Sequence, residues 1–184
     1  MEITLIAYSI YIFDNLLREF MRTERRGVRK AGNFDRKSSI FVAAYPIVIL
    51  LLPIALFSLN ADIPQAAQWI GIAIMTVGLG VHISAQKTLG RFYTGTLHLK
   101  DEHILVKNGL YKYVRNPGYL GVLILSTGFG LASGKSFILG ILLILYFAIY
   151  AYRINAEEKM MHIHFGKRYE DYKRNTKKLL PFIF

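Results

Sequence analysis

The sequence predicts an all-α integral membrane protein. About five transmembrane helices are expected, the last two forming a helical hairpin, with a cytoplasmic amphipathic C-terminal helix after them. Three observations carry this expectation. The 184 residues are 53% hydrophobic and only 19% charged. Two uncharged runs exceed the roughly 20 residues that a helix needs to cross the hydrocarbon core. The basic residues fall in three blocks, 18–37, 87–115 and 153–178, and the intervening links 62–68 and 131–136 hold Lys135 as their one cation. Basic loops stay in the cytoplasm. Five spans with an external N-terminus put every block on that side.

The first expected span is residues 3–17, the weakest because it contains Asp14. A removable signal peptide fits it poorly: the run opens on Met1-Glu2, not on basic residues, and no small-residue cleavage pattern follows. Asp14 and Arg18 stand four apart and pair most simply with each other. Residues 22–37, with Gly27 and Gly32, read as a connecting loop. The second span, 38–61, holds no charge, and Pro46 and Pro53 within it should kink or loosen the helix. The third, 63–86, carries only His82. The fourth and fifth, 116–134 and 136–152, are near the minimum length. Beyond them Ile154, Met161, Phe165, Tyr169 and Tyr172 recur at helical spacing, which extends the last helix as an amphipathic segment with Gly166 as a candidate interruption. The chain reads as one domain, with a three-helix part at 1–86 and a site-bearing part at 87–184.

Several functions are disfavoured. A net charge of +11 suggests nucleic acid, but the cations lie in blocks at span ends instead of one groove-sized patch. Without cysteine there are no disulfides, thiolate metal sites or cysteine nucleophile. Gly78 with Gly80, and Gly128 with Gly130 and Gly134, read as helix-packing residues, not as a phosphate cradle. His162 and His164 are two apart, on different helix faces, which argues against a metal site.

Two stretches concentrate polar groups at span ends, where they are expensive unless they serve a function. One runs from His103 through Tyr111 to Arg115, Asn116, Pro117, Gly118 and Tyr119. Asn116 precedes proline and so avoids helical backbone, and Pro117 opens the fourth span without wasting a hydrogen bond. The backbone of His103, Ile104, Leu105 and Val106 lies in a loop open to a ligand, and Tyr111 and Tyr119 offer amphipathic rings. The other stretch holds Arg153, Glu157 and Glu158. Four-residue spacing lets Arg153 and Glu157 form a plain salt bridge, or hold an anionic substrate and a cationic cofactor group side by side. Glu158 falls on the apolar stripe of the final helix.

Taken together, these residues resemble the isoprenylcysteine carboxyl methyltransferase and phospholipid methyltransferase superfamily of integral membrane enzymes. The shared pattern is His103, Leu105, Val106, Gly109 and Tyr111, then Arg115, Asn116, Pro117, Tyr119 and Gly121, then Arg153, Glu157 and Glu158. Phe165, Gly166, Tyr169, Tyr172, Leu180, Pro181 and Phe182 complete it, so the likeness runs from about residue 89 to the C-terminus. It implies methyl transfer from S-adenosyl-L-methionine to a lipophilic acceptor that enters from the bilayer, at a site facing the cytoplasm. It also implies that His103, Ile104, Leu105, Val106, Tyr111, Asn116, Pro117, Gly118, Tyr119 and Glu157 bind the cofactor. Arg153 would contact substrate, and Arg153, Glu157 and Arg115 are the candidate catalytic residues. One departure is Asn116, where carboxyl methyltransferases of prenylated proteins usually carry histidine; this puts a prenylcysteine acceptor in question. Alternatives are an NADPH-dependent reductase of the steroid 5α-reductase type, with a similar Arg-Asn-Pro turn, and a non-catalytic membrane transport or assembly subunit.

Overall fold

Helices make up the regular structure of the residues described by the computed structural model, 2–23, 36–55, 62–93 and 104–180. They are α1 (Glu2–Thr23), α2 (Arg36–Ala55), α3 (Gln65–Leu89), α4 (Pro117–Ala132), α5 (Ser136–Phe165) and α6 (Lys167–Arg174). Single 3-10 turns occupy Gly90–Phe92 and Gly109–Lys112. By length and composition α3 and α5 are apolar enough to cross a membrane, while α2 and α4 are shorter in their apolar stretch.

The boundaries have local causes. α1 runs on through Arg18 to Thr23, past the end expected from hydropathy, because Arg18 and Asp14 neutralise each other at 2.7 Å along the helix. α2 accommodates both Pro46 and Pro53. It ends at Ala55, and the rest of its expected span, like residues 24–35 of the expected loop, lies outside the described residues. Asn116 has φ −123° and ψ 54°, not helical, and Pro117 then opens α4 as expected. α5 continues unbroken for 30 residues, from the hydrophobic hairpin into the amphipathic segment. It stops at Gly166, whose φ of +51° and ψ of −126° suit a residue without a Cβ, so the expected interruption is real.

One end of the bundle is tied by Asp62. The Asp62 and Ile63 amides both donate to the Gly134 carbonyl, at 2.9 and 3.1 Å. The Asp62 carboxylate accepts from the Ser136 amide at 2.7 Å and from the Ser136 hydroxyl, capping the first turn of α5. Those two hydrogen bonds hold its carboxyl below the ordinary aspartate range. The residues just before α3 and the α4–α5 turn therefore share one end, and the opposite ends of α3, α4 and α5 are left to build the candidate site.

Glycines set the closest contact. A Cβ on Gly71 would lie 2.7 Å from the Gly128 oxygen and the Ala132 nitrogen, and one on Gly78 2.6 Å from the Leu125 nitrogen. From the other side, a Cβ on Gly121 would lie 2.8 Å from the backbone of His82, and one on Gly128 2.6 Å from the Gly71 oxygen. Each pair is seven apart, so α3 and α4 meet backbone to backbone along one seam. Gly130 packs likewise against Leu139 of α5, where its Cβ would come within 2.7 Å of Cα. The packing expectation fails for two glycines. Gly80 faces open space. Gly134 lies in the turn between α4 and α5 with φ +78°, so backbone conformation explains it.

The remaining helices close around this pair through buried tyrosines. Tyr45 of α2 donates to the Leu142 carbonyl of α5 at 3.1 Å, and Tyr8 of α1 donates to the Leu50 carbonyl of α2 at 3.0 Å. Phe129 of α4 receives the rings of Tyr8 and Tyr11 at 5.3 and 5.6 Å. The outside is apolar as well: Leu5, Phe13 and Phe20 of α1, Ile47 and Leu51 of α2, Trp69 and Val77 of α3, and Ile144 and Phe147 of α5 are all exposed. Such a surface suits lipid better than water.

The seam predicts opposite outcomes for two glycines on one helix. Gly78→Leu should destabilise the protein in detergent by about 1–3 kcal/mol or more, because backbone atoms cannot yield to the new side chain. Gly80→Ala should raise stability by up to about 1 kcal/mol, through helix propensity alone. Thermal unfolding of the two variants measures both, and equal effects would remove the seam.

Candidate active site

Three side chains of α5, Tyr150, Arg153 and Glu157, lie at helical spacing and turn into one cavity of about 700 Å³. Its other walls come from α1, α2, the end of α3, the 104–116 segment, the start of α4, and α6. That volume lies within the range of small-molecule and cofactor sites.

Tyr119 of α4 joins the two charged groups. Its hydroxyl donates to Glu157 Oε2 at 2.6 Å and accepts from Arg153 Nε at 3.2 Å. Arg153 is only 2% exposed, whereas Glu157 is half-buried. Tyr119 is itself fixed, because its carbonyl accepts from the Tyr146 hydroxyl at 2.7 Å and its ring packs on Tyr150 at 5.4 Å. Helical spacing alone left a direct Arg153–Glu157 bridge or two independent ligand groups. The structure places a tyrosine hydroxyl between them, which orients both. Tyr111 completes this wall: burial, and then the Glu157 carboxylate, push its hydroxyl well up, so it remains a neutral donor.

Arg115 has a different setting. Its Nε donates to Glu158 Oε1 at 2.8 Å, and its Nη1 donates to the Lys173 carbonyl at 3.2 Å and to the Thr176 carbonyl. Lys178 approaches the other Glu158 oxygen at 3.7 Å. The Arg115 amide and the Lys177 amide make a short parallel bridge with Lys177 and Tyr113, and Asn116 Nδ2 donates to the Lys178 carbonyl at 2.9 Å. Tyr172 of α6 donates to the Tyr111 carbonyl at 2.7 Å. The C-terminal tail thus clamps the segment that carries Tyr111, Asn116 and Tyr119. Glu158, which helix periodicity singled out, belongs to this clamp, while Glu157 faces the cavity.

Of the expected site residues, Ile104, Leu105, Val106, Tyr111, Arg115, Asn116, Gly118, Tyr119, Arg153 and Glu157 line the cavity. Pro117 stands between lining residues as the first residue of α4, and His103 lies outside the described residues. Residues from the first half of the chain line it too: Arg18, Val42, Pro46, His82 and Tyr93 among them. Arg18 and His82 had a signal in the sequence, being titratable groups within otherwise apolar helices.

A family model for phospholipid methyltransferases matches residues 66–168, a stretch that contains Tyr111, Tyr119, Arg153 and Glu157. The chain belongs to this family. Among its relatives, a probable protein-S-isoprenylcysteine O-methyltransferase of Oryza sativa subsp. indica is 29% identical over 62% of this chain and 61% of its own length. The protein-S-isoprenylcysteine O-methyltransferase of Dictyostelium discoideum is 31% identical over 62% of this chain and 49% of that one. The match therefore spans about three-fifths of the rice relative. The solved structure of a eukaryotic intramembrane Ras methyltransferase, an isoprenylcysteine carboxyl methyltransferase, superposes with a TM-score of 0.62 at 22% identity. It covers 83% of this chain and 55% of that one, and it shows that this family member shares the fold.

The clamp predicts coupled stability effects. The Arg115 and Glu158 side chains are 9% and 10% exposed, so Arg115→Met and Glu158→Gln should each cost up to roughly 3–5 kcal/mol by breaking a buried pair, the partners that remain softening the loss. The double variant should cost clearly less than the sum. Unfolding of all three in detergent checks this, and strict additivity would show that the two side chains act independently.

Proposed function

We propose that this chain is an integral membrane methyltransferase that moves a methyl group from S-adenosyl-L-methionine to a lipophilic acceptor. The observation that carries the reading is the Arg153–Tyr119–Glu157 unit, built into a cavity by the residues that match the family. The donor chemistry fits the cofactor. A half-buried carboxylate at Glu157 suits its ammonium or sulfonium charge, and Tyr111, Tyr119 and the 104–106 backbone line the same space. S-adenosyl-L-methionine supplies a methyl group already activated by positive sulfur. The protein then needs little acid–base chemistry: Glu157 holds the donor side, Arg153 the acceptor side, and Tyr119 fixes the distance between them. Alignment of this kind is worth up to roughly 7–11 kcal/mol. The names of the relatives favour a carboxyl oxygen as acceptor.

The cavity also suggests how the acceptor arrives. Ile12 and Leu16 of α1 and Val42 and Pro46 of α2 line it, and Ile12 and Leu16 are at the same time exposed on the outside of the bundle. Its apolar wall is therefore continuous with the lipid-facing surface, and an apolar tail enters between α1 and α2. In this reading all five long helices span the bilayer. The basic blocks, the site and α6 face the cytoplasm, from which the soluble cofactor enters.

Two experiments test this. Glu157→Gln should weaken S-adenosyl-L-methionine binding by on the order of tenfold or more, the loss of a charge-assisted hydrogen bond of about 1.5–3 kcal/mol. Arg153→Met should leave cofactor affinity nearly intact while abolishing methylation of an anionic acceptor. Exchanging the two charges should rescue neither, whereas a purely structural pair would survive exchange; calorimetry on the three variants decides. For topology, cysteines placed at Gln65 and Lys107 should react with impermeant reagents from opposite sides of sealed vesicles. Labelling of both from one side would remove the five-span arrangement.

A further inference from the structure

A continuous chain of hydrogen bonds crosses from α1 to the end of α3. Arg18 Nη2 donates to Asp14 Oδ2 at 2.7 Å, and Asp14 Oδ1 meets His82 Nδ1 at 2.7 Å. Gln86 Nε2 lies 2.9 Å from His82 Nε2 and 3.4 Å from the Tyr93 hydroxyl, so its two N–H groups serve one partner each. A ring nitrogen that accepts from an amide carries no proton, which leaves the imidazole proton on Nδ1, directed at Asp14. Both nitrogens of His82 are thus engaged inside the protein, and neither is placed to take a proton from a substrate. Asp14, His82 and Gln86 are all buried.

As a fastener for two helices this chain is wasteful. Well-packed apolar side chains hold helices together at least as well as buried charges, which lose their hydration. The chain also leaves Gln86 Oε1 buried without a partner among the described residues. What it secures lies at its ends: Arg18, His82 and Tyr93 all line the cavity that Arg153 and Glu157 line. Arg18 is a long cation on an apolar helix and would otherwise extend toward the polar boundary. Tyr93 follows a single 3-10 turn, whose first amide donates to the Gln86 carbonyl, so Gln86 governs both that turn and the tyrosine hydroxyl. Burial pushes the Tyr93 hydroxyl up, Arg18 pulls it down, and the Asp14 and Glu157 carboxylates push it up again; it stays a neutral donor in the field of Glu157. His82 is fixed from a third side as well. A Cβ on Gly121 of α4 would lie 2.8 Å from its backbone, two residues from Tyr119.

We propose that His82 is a positioning residue: through Gln86 it directs the Tyr93 hydroxyl into the cavity that Glu157 lines, and through Asp14 it sets Arg18 on the α1 wall. This inference rests on the methyltransferase reading and deepens it, because Tyr93 becomes a further binding residue on the cofactor side. With Gln86 donating to its oxygen, the Tyr93 hydroxyl directs its own proton to an acceptor other than Gln86. The end of α3 has no local means of keeping that orientation, since one 3-10 turn holds the backbone and leaves the ring to rotate. His82 makes no hydrogen bond to cofactor or acceptor and acts through its neighbours. It is the point where α1, α3 and α4 are registered to one another, so a site whose walls come from three helices keeps one geometry.

The test is calorimetric titration of S-adenosyl-L-methionine into the full-length protein in nanodiscs, with thermal unfolding measured in parallel. Tyr93→Phe should weaken binding severalfold, up to about tenfold. His82→Asn should cost about as much, because its amide keeps a donor facing Asp14 and loses the acceptor facing Gln86. The double variant should lose no more than the larger single one, since both changes break one chain. Gln86→Met, which keeps length and removes both donors, should reproduce the loss, and it carries the test if His82→Asn does not fold. Additive losses overturn the positioning role, and so does a lowered unfolding temperature with affinity unchanged, which would mark a plain fastener. A His82→Asn protein that binds the cofactor normally yet transfers no methyl group overturns it too, in favour of a proton acceptor. The chain itself is read without ligand from the ring-nitrogen NMR signals of His82, which should show Nδ1 protonated and Nε2 bare, with Nε2 shifting in Gln86→Met; a proton on Nε2 overturns it. A wild type with that signature that binds no S-adenosyl-L-methionine sinks the methyltransferase reading instead.

Discussion

The backbone contact between α3 and α4 is the constraint on which the rest of this structure depends. Gly71 and Gly78 on one helix, and Gly121 and Gly128 on the other, remove the side chains that would hold the two apart. In a membrane no hydrophobic force presses helices together, so close approach and the dispersion contacts it allows do that work. The seam also has a functional end. Gly121 rests on the backbone of His82, one turn below Gln86, so the start of α4 is set directly beside the polar face of α3. Tyr119, two residues before Gly121, is thereby placed where Arg153 and Glu157 of α5 reach its hydroxyl. A bulkier residue in the seam would displace the site along with the helix.

Charged groups divide into two sets with different tasks. Arg115, Glu158 and Lys178, with the carbonyls of Lys173 and Thr176, tie the tail over the loop before α4. They bind one another and the backbone, and Arg115 lines the cavity as well. Arg153 and Glu157 are joined through the Tyr119 hydroxyl and line the cavity together with it. Two adjacent glutamates on α5 thus serve opposite purposes, because a step of one residue along a helix turns a side chain by about 100°. Glu158 turns toward the tail and Glu157 toward the space that a ligand would fill.

The polar chain Arg18–Asp14–His82–Gln86 follows the same economy in a less polar setting. Each ionisable member is paired, as burial demands. The pairing runs between helices that are distant in sequence, so it also fastens α1 to α3. Through it the first half of the chain becomes a wall of the site, not merely a membrane anchor.

The sequence by itself determined the helices and which residues of the second half line the cavity. Hydropathy and charge marked the five apolar segments, Pro117 and Gly166 marked two of their boundaries, and the pattern from Ile104 to Glu157 marked the residues that meet in the cavity. These properties are local: span length, a proline's fixed φ and a glycine's freedom are written into a few consecutive residues. What only the tertiary structure decided concerns partners. Spacing along α5 left Arg153 and Glu157 either bridged to each other or holding separate ligands, and a tyrosine from α4 stands between them. Arg115 read as a catalytic candidate; it lines the cavity, and its hydrogen bonds also tie down the tail. Gly80 read like Gly78 and touches nothing. Asp14 and Arg18 read as a self-contained pair, and His82 as a lone histidine, until α1 and α3 came together. In each case the deciding contact joins residues far apart in the chain. A one-dimensional pattern shows which groups lie on a helix face, and only packing shows what that face meets.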